Sequence, residues 1–258
     1  MMFQCQHLSK SYQTRDGCIQ ALVDVNFSAN EEEFICLVGP SGCGKTTLLK
    51  LIAGLQDPTS GCITFHVEPP RGHHHVAMVF QEHGLFPWMT VLDNVAFGLE
   101  TRGVGREERR QQARTFIQKV GLDRFTNNFP HELSVGMCQR VGIARAFLAD
   151  PQMLLMDEPF GSLDTQTKLV LQEELLRIWK EYRKTILYVT HDIGEAVLLG
   201  DRVMVMTGHP GRIRDEIHIP LSRPRNISNG ERPEIAEIKW HIWKILEEEV
   251  KRGLLFSP

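Results

Sequence analysis

The sequence lacks several features that define common classes of protein. Its 258 residues contain no apolar segment that approaches the ~20 residues needed to cross a membrane. The first residues, Met1 to His7, lack the apolar centre of a signal peptide, so we expect no secretion signal. The six cysteines form no CxxC pair, which favours free thiols in a reducing compartment. The net charge of −3 gives no electrostatic reason to expect a nucleic acid as partner.

The composition is that of an ordinary globular protein. Hydrophobic residues make up 42% of the chain and charged residues 24%, which leaves enough apolar material for a buried core. The length suits one large domain, or a core with a subdomain. The function must therefore be inferred from motifs.

A glycine-rich segment is the most informative of these motifs. It matches the pattern G-x-x-x-x-G-K-[ST] and lies between a short apolar run and a helix-forming stretch, which is the context of a phosphate-binding loop. Glycines let backbone N–H groups approach phosphate oxygens, and the helix N-terminus adds a partial positive charge. We expect Lys45 to reach the β- and γ-phosphates and the Thr46 hydroxyl to ligate Mg²⁺. The predicted nucleotide-binding residues of this loop are Gly39, Pro40, Ser41, Gly42, Cys43, Gly44, Lys45, Thr46 and Thr47.

Within this loop, Cys43 has two interpretations. It is either a small residue that fills a tight loop or a thiol sensitive to oxidation.

Two kinds of strand are predicted. Residues 23–29 and 63–67 alternate between apolar and polar, as half-buried strands of an antiparallel sheet do. Four near-continuous apolar runs instead suit a parallel sheet covered on both faces. These runs are Phe34–Val38, Val76–Phe80, Met153–Met156 and Thr185–Val189. The predicted fold class is α/β: a P-loop NTPase core with a mostly parallel sheet and helices on both faces, an N-terminal antiparallel β subdomain and an inserted α-helical subdomain.

The middle of the chain is helical in pattern. From about Val91 to Ala149 we find no convincing strand, and Glu107–Val120 carries apolar residues at helical spacing. The core then resumes with further predicted helices and strands. These are helices at Gln166–Tyr182 and after His191, and strands at Arg202–Met206 and Arg212–Ile219. The predicted boundaries are residues 1–220 for a nucleotide-binding domain, with the helical subdomain at about 88–150, and 221–258 for a C-terminal linker and helix.

That C-terminal segment has an amphipathic pattern. Pro224 and Asn229-Gly230 predict a loop or linker. Apolar residues then recur every 3.6 residues, with Trp243 on the same face and Trp240 off it. The recurring residues are Ile235, Ile238, Ile242, Ile245, Leu246 and Val250. The helix either packs on its own domain or binds a partner.

A second chemical motif ends the third apolar run. Asp157 and Glu158 follow four apolar residues, and Pro159 comes next. At the C-terminal end of a parallel strand, such side chains lie where ligands bind. Asp157 can hold Mg²⁺, and Glu158 can accept a proton from an attacking water. We expect the two acids to face different ways because side chains alternate along an extended chain.

Further motifs resemble those of the ATP-binding cassette (ABC) proteins. The segment Ser134-Val135-Gly136-Met137, after Leu133, resembles the family's signature motif, and Gln139 to Ala146 continues it. Other positions match in family order over about residues 2–220. They are Gln81 for the Q-loop, Asp164 for the D-loop, His191 for the switch histidine and Tyr12 for the adenine-stacking aromatic.

The resemblance implies that ATP and Mg²⁺ bind between two cassettes. A second copy would dock head to tail, and Ser134, Gly136 and their helix would contact the γ-phosphate held by that copy. Gln81 would sense the metal and the attacking water, and Thr46, Gln81 and Asp157 would serve the Mg²⁺. His191 would contact the γ-phosphate and position Glu158 or the water, and Asp164 would join the two sites.

The signature departs from the usual pattern at Val135, where the family has glycine. A β-branched residue at positive φ would be strained, whereas an ordinary helical conformation would cost only crowding. Two outcomes follow: an active but altered site, or a markedly weakened one.

Three longer stretches, residues 88–95, 156–164 and 172–179, resemble the nitrate, sulfonate and taurine importer group. Phe86 and Trp88 lie where the family grips coupling helices of a membrane subunit, although both rings could instead be buried. The implied partners are transmembrane permease subunits, a second cassette and an extracytoplasmic solute-binding protein, with no nucleic acid. The implied location is the cytoplasmic face of the cell membrane.

Two other ABC classes are alternatives. Chromosome and DNA-repair ATPases carry long heptad arms between the two nucleotide motifs, and none is present between Lys45 and Asp157. Translation-associated ATPases usually join two cassettes, and this sequence has one phosphate loop.

Overall fold

The computed structural model describes residues 1–15, 17–81, 84–223, 225 and 233–255. Its strands, in chain order, are β1 (Phe3–Thr14), β2 (Gly17–Ala29), β3 (Phe34–Val38), β4 (Ser60–Phe65), β5 (Val76–Val79), β6 (Met153–Asp157), β7 (Thr185–Val189), β8 (Arg202–Met206) and β9 (Ile213–His218). Its α-helices are α1 (Lys45–Ile52), α2 (Val91–Thr101), α3 (Arg106–Lys119), α4 (Val135–Leu148), α5 (Thr165–Tyr182), α6 (Ile193–Leu199) and α7 (Pro233–Leu255). The chain divides into two compact units, Met1–Val67 with Thr185–Pro258, and Glu68–Lys184.

The first unit contains an antiparallel sheet in the order β2-β1-β4. Phe3 is fully buried on it, with ring centroids 5.5 Å from Phe27 and 5.1 Å from Phe65. Sequence analysis predicted β2 and β4 but missed β1. The register of β1 shifts between Cys5 and Leu8, so its buried residues do not alternate regularly and the period-2 signal is lost.

The same unit contains the parallel strands that carry the phosphate loop. β3 lies between β7 and β8 and is parallel to both, and β9 closes this edge antiparallel to β8. Every residue of β3, β7 and β8 is buried. The continuous apolar runs predicted this for β3 and β7, whereas β8 was predicted only as a strand. α6 packs on β3, and α7 packs on α6 and β8.

α7 thus packs on its own unit, and Ile242 is fully buried there. We expected Trp243 to lie on the buried face of the helix. It does not, because 42% of it is exposed. It stacks on exposed Trp240 with 4.9 Å between ring centroids. Adjacent helical residues point about 100° apart, so burial of Ile242 turns its neighbour toward the side. Pro224 and Asn229-Gly230 of the predicted linker lie outside the described residues.

The second unit contains one pair of parallel strands and a set of helices. β5 pairs with β6 in the register Val76↔Met153 to Val79↔Met156. From Val91 to Ala149, a span described throughout, there are helices and turns but no strand, which confirms the helical prediction. Phe116, Phe147 and Tyr182 form its aromatic core, with centroids 5.2 to 6.3 Å apart. The domain boundaries predicted above stay a prediction.

None of the described helices combines the length and apolar character that spanning a membrane requires.

Candidate functional site

The phosphate loop connects β3 to α1 within the first unit. Gly42 and Gly44 have φ angles of 77° and 100°, which disfavour any residue with a Cβ. A Cβ on Gly44 would lie 2.7 Å from the Leu22 Cδ2 atom and 3.0 Å from the Ala21 carbonyl oxygen of β2. Glycine is therefore required here both by backbone conformation and by close packing against β2.

The start of α1 is suited to an anion. Its N-cap is Gly44, so no side chain caps the first N–H groups of the helix. Lys45 is buried, with 7% of it exposed. Its Nζ donates to the carbonyl oxygens of Gly39 at 2.8 Å and Pro40 at 3.0 Å. An uncapped helix N-terminus, glycines without side chains and a lysine held inside the loop together fit a phosphate group. Thr46, the second residue of α1, is exposed.

Cys43 fills space inside the loop. Only 1% of it is exposed, and a Cβ on Gly39 would lie 2.8 Å from its Sγ atom. Burial raises the pKa of this thiol, so it stays protonated at neutral pH. The geometry favours the filler interpretation over the redox one.

Gly211 supports the loop, and sequence analysis missed it. A Cβ on this residue would lie only 2.0 Å from the carbonyl oxygen of Cys43. The Gly211 N–H donates to Ala21 O at 3.0 Å, and its carbonyl oxygen accepts from Val23 N at 3.0 Å. The turn before β9 thus presses directly on the phosphate loop. In the sequence, Gly211 is marked only as the last residue of a turn-forming segment, Gly208-His209-Pro210-Gly211, between two predicted strands.

His191 follows the strand next to β3. Thr190 N donates to Leu37 O at 3.1 Å, which ties the end of β7 to β3. Because the two strands are parallel neighbours, Gly39 and His191 leave the same edge of the sheet. His191 immediately precedes Asp192, which is the N-cap of α6, and its side chain is exposed.

Tyr12 lies on β1 and is half-buried. Its hydroxyl donates to Gln56 Oε1 at 2.6 Å, and Lys10 Nζ lies 5.2 Å from its ring centroid. Its role toward adenine stays a prediction.

The second unit brings Gln81, Asp157 and Glu158 to one edge. β5 and β6 are parallel and Val79 is aligned with Met156, so the residues just beyond them leave the same end of the pair. Asp157 ends β6 and is 5% exposed, whereas Gln81 is exposed. The predicted metal and catalytic residues of this unit therefore share a strand edge.

The conformation of Glu158 differs from the one we expected. Its φ angle is 44°, so the chain leaves the strand at this residue and simple alternation does not set its direction. A tight turn follows, in which Gly161 N donates to Glu158 O at 3.0 Å. Left-handed backbone at a non-glycine residue costs of order 1–3 kcal/mol and is common at functional sites.

The signature residues form the first turn of α4. Ser134 is the N-cap, and its hydroxyl accepts a hydrogen bond from Met137 N at 3.3 Å. Val135 is the first helical residue and does not have positive φ, so it carries none of the strain considered above. Its side chain is 48% exposed.

Asp164 begins α5, close to this turn. Its carboxylate accepts from Gln166 N and Thr167 N at 3.1 Å each. Hydrogen bonds from Thr167, led by that of its side chain, lower the pKa of Asp164. A Cβ on Gly136 would lie 3.3 Å from Thr167 Cγ2, so the signature and D-loop residues meet where α4 and α5 begin.

Comparison with known proteins decides the family. The sequence profile described as ABC transporter matches residues 22–161. The chain belongs to the ABC transporter family. As a member it binds ATP with Mg²⁺ and hydrolyses the ATP, and it is an ATP-binding subunit of that family.

The chain is similar in sequence to ATP-binding proteins of importers. It is 46% identical to the nitrate import ATP-binding protein of Synechocystis sp., over 86% of this chain and 84% of that one. It is 39% identical to the aliphatic sulfonates import ATP-binding protein of Bacillus cereus, over 99% and 98%. A solved ATP-binding cassette, a dimer in a post-hydrolysis state bound to ADP and Pi, matches with a TM-score of 0.75 and 32% identity. That match covers 86% of this chain and 100% of the solved one.

Replacing Gly211 should weaken ATP binding by this ABC subunit. In Gly211→Ala the new Cβ has to displace the Cys43 carbonyl and with it the phosphate loop, so we expect the Kd for ATP to rise about tenfold or more. Gly208→Ala is the matched control, because its Cβ would come no closer than 3.9 Å to another atom. Calorimetric titration measures both, and an unchanged Kd for Gly211→Ala would contradict the proposed support of the loop.

Removing the Val135 side chain should raise ATP turnover. The exposed isopropyl group stands beside the N–H groups of α4, and in Val135→Gly these become easier to approach. We expect phosphate release about threefold faster, equivalent to roughly 0.7 kcal/mol. Val170→Gly removes another exposed helical valine and should not accelerate turnover. Equal or lower turnover of Val135→Gly would count against this account.

Proposed function

We propose that this chain energises a bacterial ABC importer of nitrate, sulfonate, taurine or a similar small solute. The observation that carries the proposal is that one sequence combines a loop that fits a phosphate group with similarity, over most of its length, to nitrate and sulfonate import subunits. The cassette of such a system does not touch the solute, so the kinship supports only the solute class.

Each catalytic residue has a chemical role in this proposal. Lys45 and the backbone N–H groups of Ser41–Thr47 hold the phosphates. Thr46, Asp157 and Gln81 would hold Mg²⁺, which supplies positive charge to the phosphate oxygens. Glu158 accepts the proton of the attacking water, and His191 positions that water and contacts the γ-phosphate.

A second copy of the chain would complete the site. Ser134 and Gly136 begin a helix of 14 residues whose first turn is partly exposed, so its hydroxyl, N–H groups and dipole can face a γ-phosphate held by the other copy. The solved cassette relative is a dimer. Hydrolysis removes the γ-phosphate that both copies grip, and the pair opens.

A permease subunit would dock at the loop before α2. Asn94 is buried and fixes this loop, since its side chain accepts from Phe86 N at 2.9 Å and donates to Phe86 O and Met89 O at 3.1 Å. The Phe86 ring is half-buried against Phe97, with centroids 4.7 Å apart. Trp88, in contrast, is 70% exposed. From the sequence, each ring could either contact a membrane subunit or be buried in the domain. We infer that Trp88, the more exposed ring, is the one that contacts the permease.

The remaining parts of the proposal follow from its importer class. A solute-binding protein outside the cell membrane delivers the solute to the permease, and this chain works at the cytoplasmic face as a peripheral subunit.

A pull-down from detergent extract tests the proposal. Tagged chain should retain a polytopic membrane protein, and Trp88→Ala should lose most of it because a central exposed aromatic anchor contributes about 2 kcal/mol or more to such an interface. Trp240→Ala is the control, because it removes another exposed tryptophan, on α7, and should retain the permease.

The alternative is a non-transport ABC ATPase of the DNA-repair or translation-associated kind. Recovery of DNA or ribosomes in place of a membrane protein would replace the importer proposal with this one.

A further inference from the structure

A buried carboxyl group lies beneath the turn that carries His191, and no step described above uses it. Glu195, in the first turn of α6, is only 5% exposed. Its Oε1 accepts the Tyr188 hydroxyl at 2.5 Å, and its Oε2 accepts the Thr190 hydroxyl. Burial, and then the nearby Glu195, raise the pKa of Tyr188, so this phenol remains a donor.

Further hydrogen bonds close a ring around His191. Asp192 N donates to Thr190 Oγ1 at 3.0 Å. The Asp192 carboxylate in turn accepts Glu195 N at 3.1 Å. The ring therefore runs from Glu195 through Thr190 and Asp192 back to Glu195, and it fixes the residues on both sides of His191.

The ring is anchored to the strands as well. Tyr188 is fully buried in β7 and packs on Phe34 of β3 with 5.9 Å between ring centroids. Thr190 N donates to Leu37 O in the same strand. The strand that leads into the phosphate loop is thus connected, through Tyr188 and Thr190, to the turn that carries His191.

We propose that Glu195 is a positioning residue that holds His191 in its working orientation through Thr190 and Asp192. The inference rests on the proposed function, because it gives Glu195 a role only through the contact of His191 with the γ-phosphate. Misplacing a catalytic group by about 1 Å can cost on the order of 100-fold in rate, so such a support has a measurable effect.

Glu195→Gln in the full chain tests the proposal. The amide keeps the size and the acceptor for Tyr188 but presents N–H to Thr190 in place of an acceptor. We expect kcat for ATP hydrolysis to fall about tenfold or more while KM for ATP changes less than about twofold. In a His191→Ala background the same substitution should cost nothing further, because both changes act through one side chain.

Thr190 gives an independent pair of variants should Glu195→Gln fold poorly. Thr190→Val removes the hydroxyl with little change in size and should lower kcat as Glu195→Gln does. Thr190→Ser restores the hydroxyl and should recover most of the loss. A general packing defect would instead track the lost methyl group and reverse this order.

The outcomes separate the inference from the proposed function. If His191→Ala lowers turnover but Glu195→Gln does not, or if the two losses multiply, the positioning role alone is overturned. If His191→Ala turns over ATP like the unmodified chain, or the chain releases no phosphate, the proposed mechanism falls and the positioning role falls with it.

Discussion

The structure depends on the packing around the phosphate loop, which follows the buried strand β3. β3 is buried along its whole length, yet it has to end in a loop that offers N–H groups to phosphate. Glycines at positions 44 and 211 let β2 and the turn before β9 pack against that loop, where a Cβ would clash. The binding function therefore follows from close packing as much as from charge.

Neighbouring strand ends gather the chemistry in each unit. In the first unit, β3 and β7 are parallel, so the phosphate loop and His191, which follow them, lie at the same edge of the sheet. In the second, β5 and β6 do the same for Gln81 and the carboxylates of Asp157 and Glu158. This placement follows from parallel pairing, because the carboxyl ends of paired strands then meet at one side of the sheet.

Sequence analysis predicted what depends on local pattern. β3 and β7 were predicted to the residue, since short continuous apolar runs leave little choice. β1 was missed because its irregular register hides the alternation, and Gly211 because its contact with Cys43 exists only in the folded chain. The positive φ of Glu158 and the outward turn of Trp243 likewise depend on tertiary context. Val135 stayed ambiguous until the Ser134 cap showed that it begins a helix.

The central claim is that one chain supplies only part of a catalytic chamber and a second copy closes it around ATP. Glu158→Gln should bind ATP but not hydrolyse it, because the amide cannot accept the proton of water. With Mg²⁺ and saturating ATP, sedimentation velocity should show this variant as a dimer, and Lys45→Ala in the same background should return it to a monomer. A Glu158→Gln form that binds ATP yet sediments as a monomer would contradict the account.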